Sequence, residues 1–390
     1  VMNYAFGDTT KGDYAYESAP NSTDLTWETV ITKNIGLDLG FLNNRLNVSF
    51  DAYIRDTKDM LMAGKTLPGV YGASSPRMNV ADLRTKGWEA SITWGDSFTL
   101  ASKPFNYRIM AGIGDNTSKV TKYDNPNRTL TDPYEGQQLG EIWGYVVDGY
   151  FKTDEEARNY KVDQSFVNQM INASALDNGL HAGDLKFVDL DGNNKIEQTT
   201  SANDRKDMKV IGNSLPRYNY NFGISADWYG IDFSVLFQGI GKQNWYPGAE
   251  TSMFWGPYSR PYASFIPSDF MSQVWSEENT DAYFPRPRGY VALGSNRELA
   301  VVNTKYLQNL AYCRLKNLSI GYTLPDKWLS KIGFEKIRVY FSGENLLTFT
   351  KLHSDYIDPE QASASNSWKT SKSDANIYPW AKTYSFGVDI

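Results

Sequence analysis

The chain has 390 residues, the length of two or three average soluble domains, but 14% of them are aromatic and only 22% are charged. Its formal net charge of −6 argues against a basic nucleic-acid-binding surface. The single cysteine, Cys313, excludes an internal disulfide and a cysteine-based zinc site. His181 and His353 are far apart in sequence, which argues against a histidine metal cluster.

The first predicted strand covers residues 27–41. Apolar side chains such as Leu37 fall at its odd positions, and polar ones such as Asn34 fall at its even positions. A β-strand with one polar and one apolar face has this period of two. Residues 46–54 repeat the alternation after a short polar turn at 42–45, so the two segments predict a hairpin of long strands.

The same alternation recurs along the chain and predicts nine strands in all. The seven further segments are residues 86–94, 107–113, 218–228, 231–237, 318–324, 337–341 and 384–390.

The connections between these strands alternate in length, which decides the fold class. Strict alternation of short and long links is typical of an outer-membrane β-barrel, with short periplasmic turns and long outer loops. A soluble β-sandwich, the alternative all-β fold, does not sort its loops by end. The short links lie near 42–45, 95–105, 229–232 and 325–335, and the long outer loops near 62–84, 116–217, 240–313 and 348–380.

The predicted fold is therefore all-β, a transmembrane antiparallel β-barrel, with one face of each strand toward lipid and the other toward the lumen. Because single-chain bacterial barrels close with an even number of strands, nine strands predict that further strands precede Val1. The side chains expected to face lipid are Trp27, Ile35, Leu37, Phe222, Ile224 and Phe237, and those expected to face the lumen are Asn34, Asp38, Asn221, Ser225 and Asp227.

Several segments resemble, in the same order, the late barrel of SusC-like (SusC/RagA family) TonB-dependent outer-membrane transporters. They begin with Asp24-Leu25-Thr26-Trp27-Glu28-Thr29, Asn34-Ile35-Gly36-Leu37-Asp38 and Tyr53-Ile54-Arg55-Asp56-Thr57-Lys58-Asp59. They continue with Gly140-Glu141-Ile142-Trp143-Gly144-Tyr145, Gly183-Asp184-Leu185-Lys186-Phe187-Val188-Asp189, Val210-Ile211-Gly212-Asn213-Ser214-Leu215-Pro216 and Arg314-Leu315-Lys316-Asn317-Leu318-Ser319-Ile320-Gly321-Tyr322.

The resemblance implies the C-terminal part of a 22-stranded barrel, with the plug and the TonB-interacting segment outside this chain. It also implies a location in the bacterial outer membrane and import of oligosaccharides, or in some members oligopeptides. A SusD-like lipoprotein would serve as a lid over the barrel. A barrel that binds ligands or mediates adhesion without transport is the alternative function.

One segment has the spacing of a calcium loop. Oxygen ligands at alternate positions and a backbone carbonyl at the seventh match the start of an EF-hand-type loop, because Ca²⁺ takes six to eight oxygens from a tightly curled segment. The alternative is a loop of Asx-turns that holds no ion. An ion would be structural, in place of the hydrophobic core that a long loop lacks. The candidate ligands are Asp189, Asp191, Asn193, the carbonyl of Lys195, Glu197 and Asp204.

The outer loops are rich in aromatic residues, which suit sugar faces, and arginines, which suit carboxylates and hydroxyls. The alternative is that these rings pack the loops against themselves or against a lid protein. The candidate ligand-binding residues are Trp245, Tyr246, Trp255, Tyr258, Arg286 and Arg288.

The sequence does not predict an enzyme. The adjacent pairs Glu155–Glu156 and Glu277–Glu278 lack the spacing of paired catalytic carboxylates, and no nucleophile, base and metal set accompanies them. Thr153 and Glu156 instead form a capping box, which predicts a short helix within an outer loop.

Overall fold

A computed structural model of the chain describes residues 2–6, 10–14, 22–64, 70, 72, 75–168, 179–259, 266–287, 290–294, 296–330, 333–362, 372–373 and 378–390. Among these residues, no helix is long and apolar enough to cross a membrane.

The main element is one antiparallel sheet of nine strands, in which each strand pairs with the next one along the chain. The number and order of strands confirm the sequence prediction. Within the described residues the two edge strands do not pair with each other. The strands are β1 (Thr29–Phe41), β2 (Leu46–Ala63), β3 (Arg77–Leu100), β4 (Lys103–Lys122), β5 (Arg217–Trp228), β6 (Ile231–Lys242), β7 (Tyr312–Thr323), β8 (Arg338–Thr350) and β9 (Thr383–Asp389).

Strand alternation gives the sheet one apolar and one polar face. Ile35 is 73% exposed and, with Leu37, lies on the apolar face of β1. Phe222 of β5 stacks on Phe237 of β6 on the same face, with ring centroids 4.8 Å apart. Large apolar side chains exposed in this way need lipid as their solvent, so this face is the outer face of a membrane barrel.

The strands are longer than the alternation predicts. β3 begins at Arg77 and ends at Leu100, whereas the sequence pattern covers only residues 86–94. The short link that follows is the two-residue turn Ala101–Ser102, both with positive φ, instead of residues 95–105. Strand ends beyond the hydrocarbon layer do not need an apolar lipid face, so the alternation stops before the hydrogen-bonded ladder does.

The connections at the other end of the sheet carry the smaller elements. The helix Asp154–Arg158 begins where the capping box predicts it, because the Thr153 side chain accepts a hydrogen bond from the Glu156 backbone N–H. The other helical segments are Ser252–Trp255, Gly256–Tyr258, Phe270–Gln273, Tyr290–Leu293 and, at the short-turn end, Asp326–Leu329. The short strands are Met2–Phe6, Thr10–Tyr14, Glu141–Tyr145, Val147–Tyr150, Leu185–Phe187, Met208–Asn213, Asn244–Pro247, Gln308–Asn309 and Lys372–Ser373.

The hydrophobic core of the molecule lies in the outer loops. The loops that follow β4, β6 and β8 pack together around one aromatic cluster, which we call the outer-loop core. The expectation that these loops lack a core is therefore wrong, because apolar side chains from distant loops combine. Its largest fully buried members are Phe187, Trp245, Tyr246, Phe254, Trp255, Tyr258, Phe284 and Tyr306.

Candidate functional site

The polar face of the sheet contains a cavity of about 380 Å³ across strands β2 to β5. Polar side chains at alternate positions of adjacent strands line it, as expected for a barrel lumen. Its surface combines carboxylates, amides and hydroxyls, so it can accept and donate many hydrogen bonds. The polar side chains that line it are Ser49, Asp51, Tyr53, Glu89, Ser91, Asp115, Asn116, Asn219 and Asn221.

Two carboxylates face each other at the centre of this cavity. Asp51 of β2 and Glu89 of β3 are direct partners across the two strands, and Gly36 and Gly114 are the next partners on either side. Among the described residues, neither carboxylate has a cation within ion-pair distance. Like charges at directly opposed positions destabilise a strand pair, so this position favours a ligand or chain segment that carries positive charge or hydrogen-bond donors.

At the edge of the cavity, an arginine neutralises the charge of the one carboxylate. Asp115 of β4 accepts two hydrogen bonds from the guanidinium of Arg217 in β5, which is the bidentate geometry of a strong ion pair. The central carboxylates, Asp51 and Glu89, therefore differ from Asp115, whose charge an arginine already balances. Sequence alternation alone identifies luminal positions, but the pairing of Asp51 with Glu89 follows from the register of the strands.

The four aromatic residues predicted to contact ligand lie in the outer-loop core. Trp245, Tyr246 and Trp255 have no exposed surface, and Tyr258 is 1% exposed. Their positions favour the alternative, that the rings pack the loops. The prediction of direct ligand contact is therefore corrected for these four residues, because no face of their rings is open.

The polar atoms of three of these rings also form hydrogen bonds inside the core. The Tyr246 hydroxyl donates to the Leu299 carbonyl at 2.8 Å, and the Trp255 indole N–H donates to the Gly248 carbonyl at 2.9 Å. The Tyr258 hydroxyl donates to the Pro285 carbonyl at 2.5 Å. Buried tyrosine and tryptophan side chains satisfy their polar atoms in this way when they hold distant segments together.

Of the two predicted arginines, Arg286 is partly buried and holds the loop that contains Gly183. Its backbone N–H donates to the Gly183 carbonyl at 3.0 Å, and its guanidinium lies 3.4 Å from the Ala182 carbonyl. Arg288 lies outside the described residues. Arg286 therefore has a structural contact, and a ligand contact of either arginine stays a prediction.

The predicted calcium loop curls around the side chain of Asp189. One Asp189 carboxylate oxygen accepts the Gly192 N–H and the other the Asn194 N–H, both at 2.7 Å. Asn194 has a φ of 62°, which provides the left-handed turn that glycine usually supplies at this position. Side-chain oxygens of Asp191 and Asn193 accept the backbone N–H groups two residues later, so the segment is a tight series of Asx-turns, and a bound ion stays a prediction.

The acid that completes the cluster is Asp207, and the candidate Asp204 is not part of it. Carboxylate oxygens of Asp189, Asp191 and Asp207 lie within 4.8 Å of one another. The buried Asp207 carboxylate also accepts the N–H groups of Leu190 and Glu197. Burial raises the pKa of Asp207, and the neighbouring carboxylates raise that pKa further.

The chain between Glu197 and Asp207 explains why Asp204 is displaced. Residues 199–202 leave the loop to bond with residues 127–130, through contacts such as the Leu130 N–H to the Thr200 carbonyl at 2.9 Å. The chain returns to the acidic cluster at Asp207, while the Asp204 side chain stays exposed. Glu197 lies 3.4 Å from Lys206 Nζ and 3.8 Å from Lys195 Nζ, so lysines already partly balance its charge.

An antiparallel sheet with an apolar outer face, a polar inner face and long loops at one end defines an outer-membrane β-barrel wall. The family model "TonB dependent receptor-like, beta-barrel" matches residues 2–346. The chain therefore belongs to the TonB-dependent receptor β-barrel family, in its SusC-like branch, and its location is the bacterial outer membrane.

Curated relatives agree with this assignment. TonB-dependent receptor P3 of Formosa agariphila is 28% identical over 386 residues, which cover 94% of this chain and 34% of the relative. TonB-dependent receptor SusC of Bacteroides thetaiotaomicron is 24% identical over 391 residues, covering 99% of this chain and 34% of SusC. The chain thus spans about a third of the length of the curated relatives it matches.

Solved structures have the same fold. The RagAB peptide transporter matches with a TM-score of 0.68 and 20% identity, over 99% of this chain and 37% of the transporter chain. The RagAB peptide importer in its closed-closed state matches with a TM-score of 0.64 and 21% identity, over 99% of this chain and 38% of that chain.

Proposed function

We propose that the chain forms part of the barrel of a TonB-dependent importer that carries oligosaccharides or oligopeptides across the bacterial outer membrane. The observation that carries the proposal is the polar cavity on the luminal face, with Asp51 and Glu89 at its centre. Transport requires a luminal surface that binds polar solutes through many replaceable hydrogen bonds, and this surface supplies carboxylates, amides and hydroxyls. The membership in a receptor family that includes SusC supports the same function.

A SusD-like lipoprotein is the proposed partner at the outer end. The outer-loop core makes the loops a packed body, which provides a firm docking surface for a lid. Long loops with their own packing are commonly functional. Family similarity to SusC and to the RagAB proteins supports a two-component assembly of this kind.

Co-purification and uptake test the importer. The full-length protein, isolated from membranes, should bring down a surface lipoprotein, and deletion of its gene should abolish growth on one class of oligosaccharide or oligopeptide. A barrel recovered alone, from cells whose deletion strain grows normally on every oligomer tested, contradicts the proposal.

The charge of the cavity separates the two substrate classes. The double variant Asp51→Asn/Glu89→Gln removes both central charges and keeps the shape of the side chains. It should weaken binding of oligopeptides with ammonium or guanidinium groups much more than binding of neutral oligosaccharides. Asp227→Asn is the matched control, because Asp227 is also luminal but already accepts a hydrogen bond from Asn106.

We further propose that residues 189–207 bind a structural Ca²⁺. Three carboxylates within 4.8 Å of one another repel, and a hard cation with oxygen ligands offsets that repulsion. Asp189, Asp191 and Asp207 would supply carboxylate oxygens, with Asn193 and the Lys195 carbonyl as the other protein ligands. Such an ion would add to the outer-loop core and not replace it.

Calcium titration tests this site independently of transport. Isothermal titration of the purified protein should show one site, and Ca²⁺ should protect residues 189–207 from protease relative to EDTA. Asp189→Ala should remove both effects, while Asp204→Ala, an exposed acid of the same loop, should leave them unchanged. Equal protection in Ca²⁺ and in EDTA contradicts the calcium site and leaves the importer untouched.

A further inference from the structure

A cluster of rings and one lysine lies on the lipid face at the short-turn end of strands β3 to β6. We call it the turn-end patch. Lys103 and Phe105 are alternate residues of β4, so both point to the apolar face of the sheet. Phe105 is the cross-strand partner of Trp228 in β5. The patch consists of Phe98, Leu100, Lys103, Phe105, Trp228 and Tyr229.

Specific contacts hold the patch together. Lys103 Nζ lies 5.1 Å from the ring centroid of Tyr229, which is cation–π distance. The Trp228 indole N–H donates to the Leu100 carbonyl at 3.1 Å, and the rings of Phe98 and Phe105 lie 5.0 Å apart. Tyr229 is 59% exposed and Leu100 is 42% exposed, so the patch is accessible to a ligand from the membrane.

Within the part of the chain that the structure describes, the charge of Lys103 is not paired with an acid. Among the described residues, no carboxylate forms an ion pair with Lys103, whereas the cation at the neighbouring turn, Arg45, binds Asp96 at 3.1 Å. A cation at the edge of the hydrocarbon layer is stabilised by a nearby anion. In a membrane, the anion at that depth is the phosphate of a phospholipid headgroup.

We propose that the turn-end patch binds an anionic phospholipid. The phosphate would accept hydrogen bonds from Lys103 Nζ and the Tyr229 hydroxyl, and the rings of Phe98, Phe105 and Trp228 would pack against the glycerol and the upper acyl chain. A zwitterionic lipid would bring a second cation beside Lys103, which forms no ion pair with a described carboxylate. The unbalanced lysine therefore selects lipids with net negative charge.

Native mass spectrometry of the full-length protein tests the site. The protein is released from nanodiscs that contain equal amounts of phosphatidylglycerol and phosphatidylcholine, and the ratio of retained lipids is measured. The wild type should retain an excess of phosphatidylglycerol. Lys103→Gln should lower that excess about fivefold, the effect of one surface lysine on anionic lipid binding. Tyr229→Leu should lower it as well.

Two controls keep the result interpretable. Lys122→Gln removes an exposed lysine at the opposite end of the same strand and should retain the wild-type ratio. Lys103→Arg keeps the charge and should also match the wild type, which separates loss of charge from loss of folding. Equal retention of both lipids by the wild type, or an equal fall for Lys122→Gln or Lys103→Arg, overturns the proposal.

Discussion

The guanidinium of Arg314 donates a hydrogen bond to the carboxylate of Asp358 at 2.7 Å, and both side chains are almost fully buried, at 3% and 5% exposure. Arg314 belongs to β7, and Asp358 to the loop after β8. Arg314 also donates to Glu360 at 2.6 Å, and Asp358 accepts the Trp380 N–H at 3.2 Å. One arginine thus fixes both arms of the last outer loop to the barrel wall.

Replacing this arginine should release the loop without unfolding the sheet. Arg314→Leu leaves the buried Asp358 without its cation, which costs about 3–5 kcal/mol when a buried ion pair loses one member, whereas Glu360 keeps Lys316 at 2.8 Å. Limited proteolysis should then cut near residues 352–362, while the barrel keeps its heat-modifiable migration on gels. Arg84→Leu is the control, because the Arg84–Asp56 pair is half exposed and its loss should leave the loop protected. Equal cleavage of both variants contradicts the role of Arg314.

The two faces of β5 should respond differently to charge. Ile224→Arg places a charge on the lipid face between Ile109 and Val235, and should cost about 2–4 kcal/mol near the membrane midplane. Asn221→Arg places the same charge on the luminal face and should cost much less. Urea unfolding in phospholipid vesicles measures both values. Similar losses for the two variants would mean that the faces are assigned the wrong way.

The sequence predicts the strand faces well, because the period of two is a local property. Ile224 and Asn221 can be assigned to opposite faces without knowledge of any partner strand. The outer loops are different, because the burial of Trp255 depends on segments about 50 residues later, such as Tyr306. Asp207 could not be identified from spacing either, because its position depends on the pairing of residues 199–202 with residues 127–130.

Gly239 of β6 should tolerate no side chain. A Cβ atom at this position would overlap the Tyr312 carbonyl oxygen and the Tyr220 hydroxyl, which are themselves hydrogen-bonded at 3.0 Å. Gly239→Ala should therefore destabilise the barrel by about 1–3 kcal/mol, the usual effect of overpacking. In Gly95→Ala, the matched control, the nearest atom would be the Tyr107 carbonyl oxygen at 3.8 Å, so its urea midpoint should match the wild type. An unchanged midpoint for Gly239→Ala would show that the strands can separate at this position.

His353 should make the outer-loop core less stable in acid. Its ring stacks on Tyr283, and its Nε2 lies 2.7 Å from the Gln273 side-chain oxygen. His353 is exposed on one side, but its contact with the core partly desolvates the ring and lowers its pKa below the ordinary value of about 6.5. Nearby Lys305 lowers this pKa further, although Asp355 and Asp269 oppose the shift. The folded loop therefore favours the neutral form of the ring more than the unfolded loop does.

The direction of the change in stability with pH follows from proton binding. Below about pH 6.5 the unfolded loop binds a proton at His353 more readily than the folded loop does. The contribution of the neutral ring to stability is therefore fully present above this pH and is lost as the pH falls toward the lowered pKa. Thermal unfolding followed by tryptophan fluorescence, to which the buried Trp245 and Trp255 contribute among the eleven tryptophans, should show a falling midpoint across this window. His353→Gln cannot titrate and should show a flatter profile over the same pH range. Parallel profiles for the wild type and His353→Gln would assign the acid sensitivity to another group.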